Sequence, residues 1–201
     1  MHVLSAAQQN ATRIIQDEHE NLSAVVHGMR YFIRAIDQGK KAPDPRVFHA
    51  MLFYLDGYPE RVHHPKEDRY LFARLRHRTS ELDITLAELE FQHAQGAGLV
   101  RGIQHALARF ELAGASAFPP LRKLVEEYAL FQIAHMRLEE DIVLTGAARF
   151  LTQEDWIAID AGFSGIHDPL TGALIKNDFA KLFSLIIDIA PGTGSMEKTS
   201  D

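Results

Sequence analysis

Apolar residues recur at three- and four-residue steps along four successive stretches, and no stretch alternates convincingly with period two. From Ser5 to about Gln38 the stripe is Ile15, Leu22, Val26, Met29, Ile33 and Ile36, with Gly39 as a C-terminal stop. Asp44 and Pro45 suit the N-cap and first position of a second helix, interrupted around Gly57-Tyr58-Pro59 and ending near residue 77. Thr79 or Ser80 can cap a third, whose stripe is Leu82, Leu86, Leu89, Val100, Ile103, Leu107 and Phe110. Gly114 and Pro119-Pro120 separate it from a fourth, with Leu121, Leu124, Tyr128, Phe131, Leu138 and Ile142 aligned. Helices of roughly 30 residues are about 45 Å long. Short connections between them predict an all-α, antiparallel up-down-up-down four-helix bundle over residues 1–150. Residues 151–190 form a C-terminal helical extension, which packs on the bundle or makes a homodimer contact. Its first helix starts at the capping-box signature TQED (152–155), HDPLTG (167–172) is a turn, and a second helix spans 178–190. Residues 191–201 read as a disordered tail.

Histidines interrupt these stripes where leucines belong. His19 lies four residues after Ile15 and three before Leu22; His93 lies four after Leu89; His135 lies four after Phe131. On the second helix His63 takes the equivalent place. Glu67 and Glu139 each follow a histidine by four residues and so share its face. A lone core histidine is usually structural, but four beside two inward carboxylates are another matter. An unpaired buried carboxylate costs several kcal/mol and is met by a cation, a proton or a metal. No lysine or arginine shares those stripes near the glutamates. A metal centre would satisfy all six groups at once.

The interval from His19 to His63 is 44 residues and that from His93 to His135 is 42, so each half reads as a hairpin carrying His and then His-x-x-x-Glu. Two such hairpins about a pseudo-two-fold axis bring the six side chains to one level. Four imidazoles and two carboxylates suit two iron or manganese ions, with zinc a less usual choice. A ferritin-like bundle, built on Glu-x-x-His, ranks second: Glu90–His93 matches that spelling, but the repeated His-x-x-x-Glu does not. Aligning the two halves puts His64 on Met136, off the metal-facing line, as a neighbour of the ligands or a partner behind them. Pro65 removes the hydrogen bond to the Arg61 carbonyl, so the second helix is expected to be the bent one. Asp68 and Glu140, next to the glutamates, are expected to be solvated or to partner ligand histidines.

With 201 residues and no cysteine, the chain excludes disulfides, thiolate catalysis, iron–sulfur clusters and Cys-based zinc sites. A net charge of -6 argues against nucleic acid and anionic membranes as partners. The start MHVLSAAQQNATR lacks a basic segment followed by an apolar run, which predicts no leader and a cytoplasmic address.

The segments DEHENL (17–22), HHPKEDRYLF (63–72), EFQHAQG (90–96) and AHMRLEEDIVL (134–144) resemble the hemerythrin-like, or HHE cation-binding, family over residues 8 to 150. The resemblance implies a non-haem di-iron centre with an oxo or hydroxo bridge and two bridging carboxylates. Carried over by motif, its ligands are His19, His63, Glu67, His93, His135 and Glu139, with Glu140 in reserve. The oxygen carriers of the family have a fifth histidine one turn from the third-helix ligand; here those positions are Leu89 and Ala97. They also end in His-x-x-x-x-Asp, where this chain has Glu140. These departures point away from reversible oxygen transport and toward sensing, storage or scavenging of oxygen, peroxide or nitric oxide. The alternatives are a catalase- or peroxidase-like di-iron enzyme, or an iron-dependent regulatory module.

Overall fold

The computed structural model describes residues 5–40, 44–171, 184 and 186. Among them there is no strand and no helix long and apolar enough to cross a membrane. Four long helical runs form the bundle: α1 (Ala6–Asp37), α2 (45–78), α3 (Asp83–Ala113) and α4 (118–150), followed by α5 (Gln153–Phe163). Helices adjacent in sequence pack side by side and α4 returns against α1, which closes the antiparallel bundle. The expected tail, His2 and all but two residues of the expected helix 178–190 lie outside the described residues.

Local chemistry sets the boundaries. Ser5 caps α1 by accepting from the Gln8 amide, and Asp44 accepts from Arg46 with Pro45 opening α2. Gly39 and Gly114 take φ of 63° and 67° at helix ends, a region that favours glycine. The start of α3 differs from expectation: Thr79 Oγ1 accepts from the Glu81 amide, and the helix begins only at Asp83. Thr152 and Asp155 form the capping box of α5.

Neither α2 nor α4 is a uniform α-helix. In α2, π-type turns span Pro59–His63 and Glu67–Phe72, on either side of a short α-turn His64–Lys66. In α4 a π-type turn spans Glu139–Leu144. The Val62 and His63 amides both bond the Tyr58 carbonyl, at 2.9 and 3.1 Å, so the turn widens by one residue there. The irregularity expected at Pro65 is therefore present, but as wide turns rather than a simple proline kink. It is not confined to α2, since α4 has the same feature at Glu139–Leu144, a turn with no proline. Each extra residue rotates the succeeding part of the helix by roughly 100°. That rotation exposes Ile142, expected on the stripe, and buries Val143 and Leu144 instead.

Two apolar clusters fill the bundle. Leu22, Met29, Phe32, Phe48, Leu55, Val100, Leu107 and Val125 belong to one. Ile15, Phe72, Leu75, Leu86, Leu89 and Val143 belong to the other, together with Trp156, Ile159 and Phe163 of α5. On each long helix the boundary between the clusters falls at a histidine. The core is thus split by one buried polar layer.

Candidate metal centre

All six predicted residues lie in that layer. His19, His63, Glu67, His135 and Glu139 are at most 3% exposed, and His93 is 9% exposed. Donor atoms of His19, His63, Glu67 and Glu139 lie within 4.8 Å of one another, as do those of Glu67, His93, His135 and Glu139. Both carboxylates belong to both groups. Glu139 Oε2 lies 3.3 Å from His19 Nε2 and 3.4 Å from His135 Nε2, and Oε1 lies 3.5 Å from His93 Nε2. Glu67 Oε2 lies 3.4 Å from His63 Nε2 and 3.6 Å from His93 Nε2, with Oε1 3.7 Å from His19 Nε2. All six contacts exceed the ~2.7–2.9 Å of a charge-assisted hydrogen bond. They match the separation of two donors held at about 2.1 Å from a common ion.

The unpartnered atoms carry the same message. His19 Nε2, His93 Nε2, His135 Nε2 and all four oxygens of Glu67 and Glu139 are buried without a hydrogen-bond partner. Unpartnered buried polar atoms are costly, and here they all converge on one space. The residues fit a bound metal.

Behind the ring nitrogens facing that space, every Nδ1 is partnered. His19 Nδ1 meets Glu140 Oε1 at 2.9 Å, His63 Nδ1 meets Glu18 Oε2 at 2.6 Å, His93 Nδ1 meets Asp68 Oδ1 at 2.8 Å and His135 Nδ1 meets Gln92 Oε1 at 2.9 Å. These acceptors fix the tautomer with Nδ1 protonated and Nε2 turned inward. Glu140 is thus a partner of His19 rather than a member of the inner six. Asp68 takes the same part for His93.

In the metal-free chain the groups compensate one another. Burial lowers the pKa of His93, but Asp68, Glu139 and Glu67 outweigh it and lift it to about 10. Burial also opposes protonation of His19, and Glu139, Glu140 and Glu67 together raise it well above the usual imidazole range. Burial and the neighbouring imidazoles lower His135 to about 4 against the pull of Glu139. Burial and the charge of Glu139 raise Glu67. Burial opposes ionisation of Glu139, but His135, His19 and His93 hold it well below the usual carboxylate range.

Three features run against sequence expectation. His64 is not aside from the layer: it is 3% exposed and its ring stacks on His93 with centroids 4.3 Å apart. Burial, His93, His63 and His135 keep it neutral. Lys66, adjoining Glu67, is 6% exposed, but its Nζ turns away to Glu18 Oε1 at 3.3 Å, Tyr58 Oη at 3.1 Å and the Ile166 carbonyl at 2.6 Å. Glu18 is buried among His63, Tyr58 and Lys66, and its pKa is lowered although burial opposes this. Asp168 extends the network by accepting from Tyr54 Oη at 2.7 Å and Asn21 at 3.1 Å. The chain folding back at 163–168 closes over Lys66 with the Phe163 and Ile166 carbonyls. Tyr128 is core, its hydroxyl accepting from Gln132 at 2.9 Å. His27, His49, His77, His105 and His167 are exposed and outside the layer.

The model of the family described as Hemerythrin HHE cation binding domain matches residues 10–146. No curated protein and no solved structure matches the chain. The chain belongs to the hemerythrin HHE family.

Proposed function

We propose that this member of the hemerythrin HHE family holds two iron ions. His19 and His63 serve one ion, His93 and His135 the other, and Glu67 and Glu139 serve both. The single observation that carries the reading is that each carboxylate belongs to both four-residue donor groups. The mixed imidazole and carboxylate donors suit iron or manganese, whereas zinc usually takes four ligands in a closed tetrahedron. Bound iron would supply the electrons and the binding position for oxygen, peroxide or nitric oxide, in sensing, storage or scavenging. The chain's own part is to orient the imidazoles through Glu140, Glu18, Asp68 and Gln92, with Nε2 turned inward, and to keep bulk water out with the two apolar clusters.

One observation favours a regulatory use of the same centre. Glu18 joins His63 to Lys66, which is bonded to the Ile166 carbonyl, so the layer and the C-terminal segment share one buried network. The test is the absorption spectrum of iron-loaded protein with and without oxygen, together with a peroxide-decay assay. A stable oxygen-dependent charge-transfer band supports binding or sensing; bleaching with rapid peroxide loss supports an enzyme. Absence of bound metal would overturn the reading.

A further inference from the structure

Each histidine of the proposed ligand set obeys one rule: an acceptor stands behind Nδ1, and Nε2 faces the carboxylates. His64 shares the first half of that build and turns toward His93 and His135. Glu60, one turn earlier on α2, places Oε2 3.5 Å from His64 Nδ1, and that side chain is itself buried. Neither ring nitrogen of His64 has a hydrogen-bond partner. A structural histidine in a core normally bonds through at least one nitrogen. Donor atoms of His64, His93 and His135 lie within 4.8 Å of one another. The rings of His64 and His93 are nearly parallel at 8°, and His135 meets His64 edge-on with centroids 5.3 Å apart.

The surrounding residues make room for this arrangement. A Cβ at Gly96 would collide with the Glu60 carboxylate, so α3 is bare where Glu60 must pass to reach His64. Leu89 and Ala97, one turn either side of His93, offer no donor. The π-type turns before and after His64–Lys66 let successive residues of α2 serve opposite ends of the layer. His63 faces His19, with ring centroids 5.1 Å apart, while His64 faces His93 and His135.

We propose that His64 is a fifth histidine ligand, joining His93 and His135 on one ion, with Glu60 as the acceptor that orients its ring. That ion then has three imidazoles and two carboxylates, and the ion at His19 and His63 has one protein donor fewer. An exogenous ligand is directed to the second ion. A surface groove lined by His19, Ser23, His27, Met136, Arg137 and Glu140 opens on that side.

The inference rests on the di-iron reading, and the experiment separates the two. Iron per chain, Mössbauer spectra and azide stoichiometry are measured on the wild type, His64→Ala and His64→Phe, with circular dichroism to check folding. His64→Phe keeps a ring stacked on His93 but has no donor, so it decides the matter if the smaller side chain unsettles the fold. Expected are a wild type with two irons and one azide, and variants with at least ten-fold weaker affinity for one iron. In the variants one Mössbauer doublet changes, and His64→Ala takes up a second azide that added imidazole displaces. Folded variants with both doublets, iron affinity and single-azide stoichiometry unchanged would overturn the role of His64 and leave the di-iron reading standing. A wild type that holds no iron pair overturns both.

Discussion

Removing the metal should cost much of the stability of this bundle. Seven buried atoms of His19, His93, His135, Glu67 and Glu139 have no hydrogen-bond partner without an ion. At ~1–3 kcal/mol each the sum, roughly 7–21 kcal/mol, is comparable to the ~5–15 kcal/mol that holds a typical domain together. Protonation of His19 and His93 offsets part of it, because both are raised above their ordinary pKa by the carboxylates they face. The resulting contacts, at 3.3–3.7 Å, are too long for full charge-assisted bonds. A net penalty of about 3–6 kcal/mol remains, which for a chain of this size lowers Tm by on the order of 10 °C. Scanning calorimetry of iron-loaded and chelator-treated protein reads it directly. The double variant Glu67→Gln/Glu139→Gln sharpens the test, because it removes two buried charges while keeping the side-chain shapes. Metal-free, it should be at least as stable as the metal-free wild type and should gain nothing from iron. Equal Tm for loaded and stripped wild type, or a metal-free double variant clearly less stable than metal-free wild type, would refute the reasoning.

Other expectations rest on particular contacts. Ligand imidazoles must be neutral, yet His19 and His93 are raised in the metal-free chain, so iron loading near neutral pH should release about two protons. A weakly buffered indicator titration measures this, and the affinity should climb as pH rises toward about 10, the value for His93. For the same reason the metal-free chain should lose stability as pH rises from the unfolded-state value of ~6.5 through about 10, where the raised His93 gives up its proton. Lys66→Met removes the 2.6 Å bond to the Ile166 carbonyl, leaving it only the longer contact from Tyr58 Oη, and should cost about 1–3 kcal/mol in urea denaturation, with faster amide exchange across 163–168. Thr152→Ala breaks the capping box of α5 and should cost about 1 kcal/mol, read as a lower midpoint at unchanged m.

The bundle was legible because its helices bury one stripe each, and the six residues of the layer because they put polar groups on those stripes. Asp68 and Glu140 were also within reach, since a carboxylate beside a ligand histidine commonly accepts from a neighbour's Nδ1. Ile142 was misplaced, and His64 was read only as a neighbour of the ligands, for one shared reason. Both positions were read on a uniform 3.6-residue helix, and the wide turns at Pro59–His63, Glu67–Phe72 and Glu139–Leu144 rotate the residues beyond them. Periodicity has no signal for an inserted residue in a turn. Glu18 and Lys66 were hidden differently: Glu18 is held by Tyr58, His63 and Lys66 on another helix, and Lys66 also by carbonyls about 100 positions away, at Phe163 and Ile166.

Iron per folded chain tests the central claim most directly. Protein loaded anaerobically with ferrous iron, desalted and assayed for metal against chain concentration should retain two irons in the wild type. Glu67→Ala and Glu139→Ala should each lose the pair, because each carboxylate is shared by both donor groups. Retention of a single iron in the wild type, or of two in either variant, would contradict a centre bridged by Glu67 and Glu139.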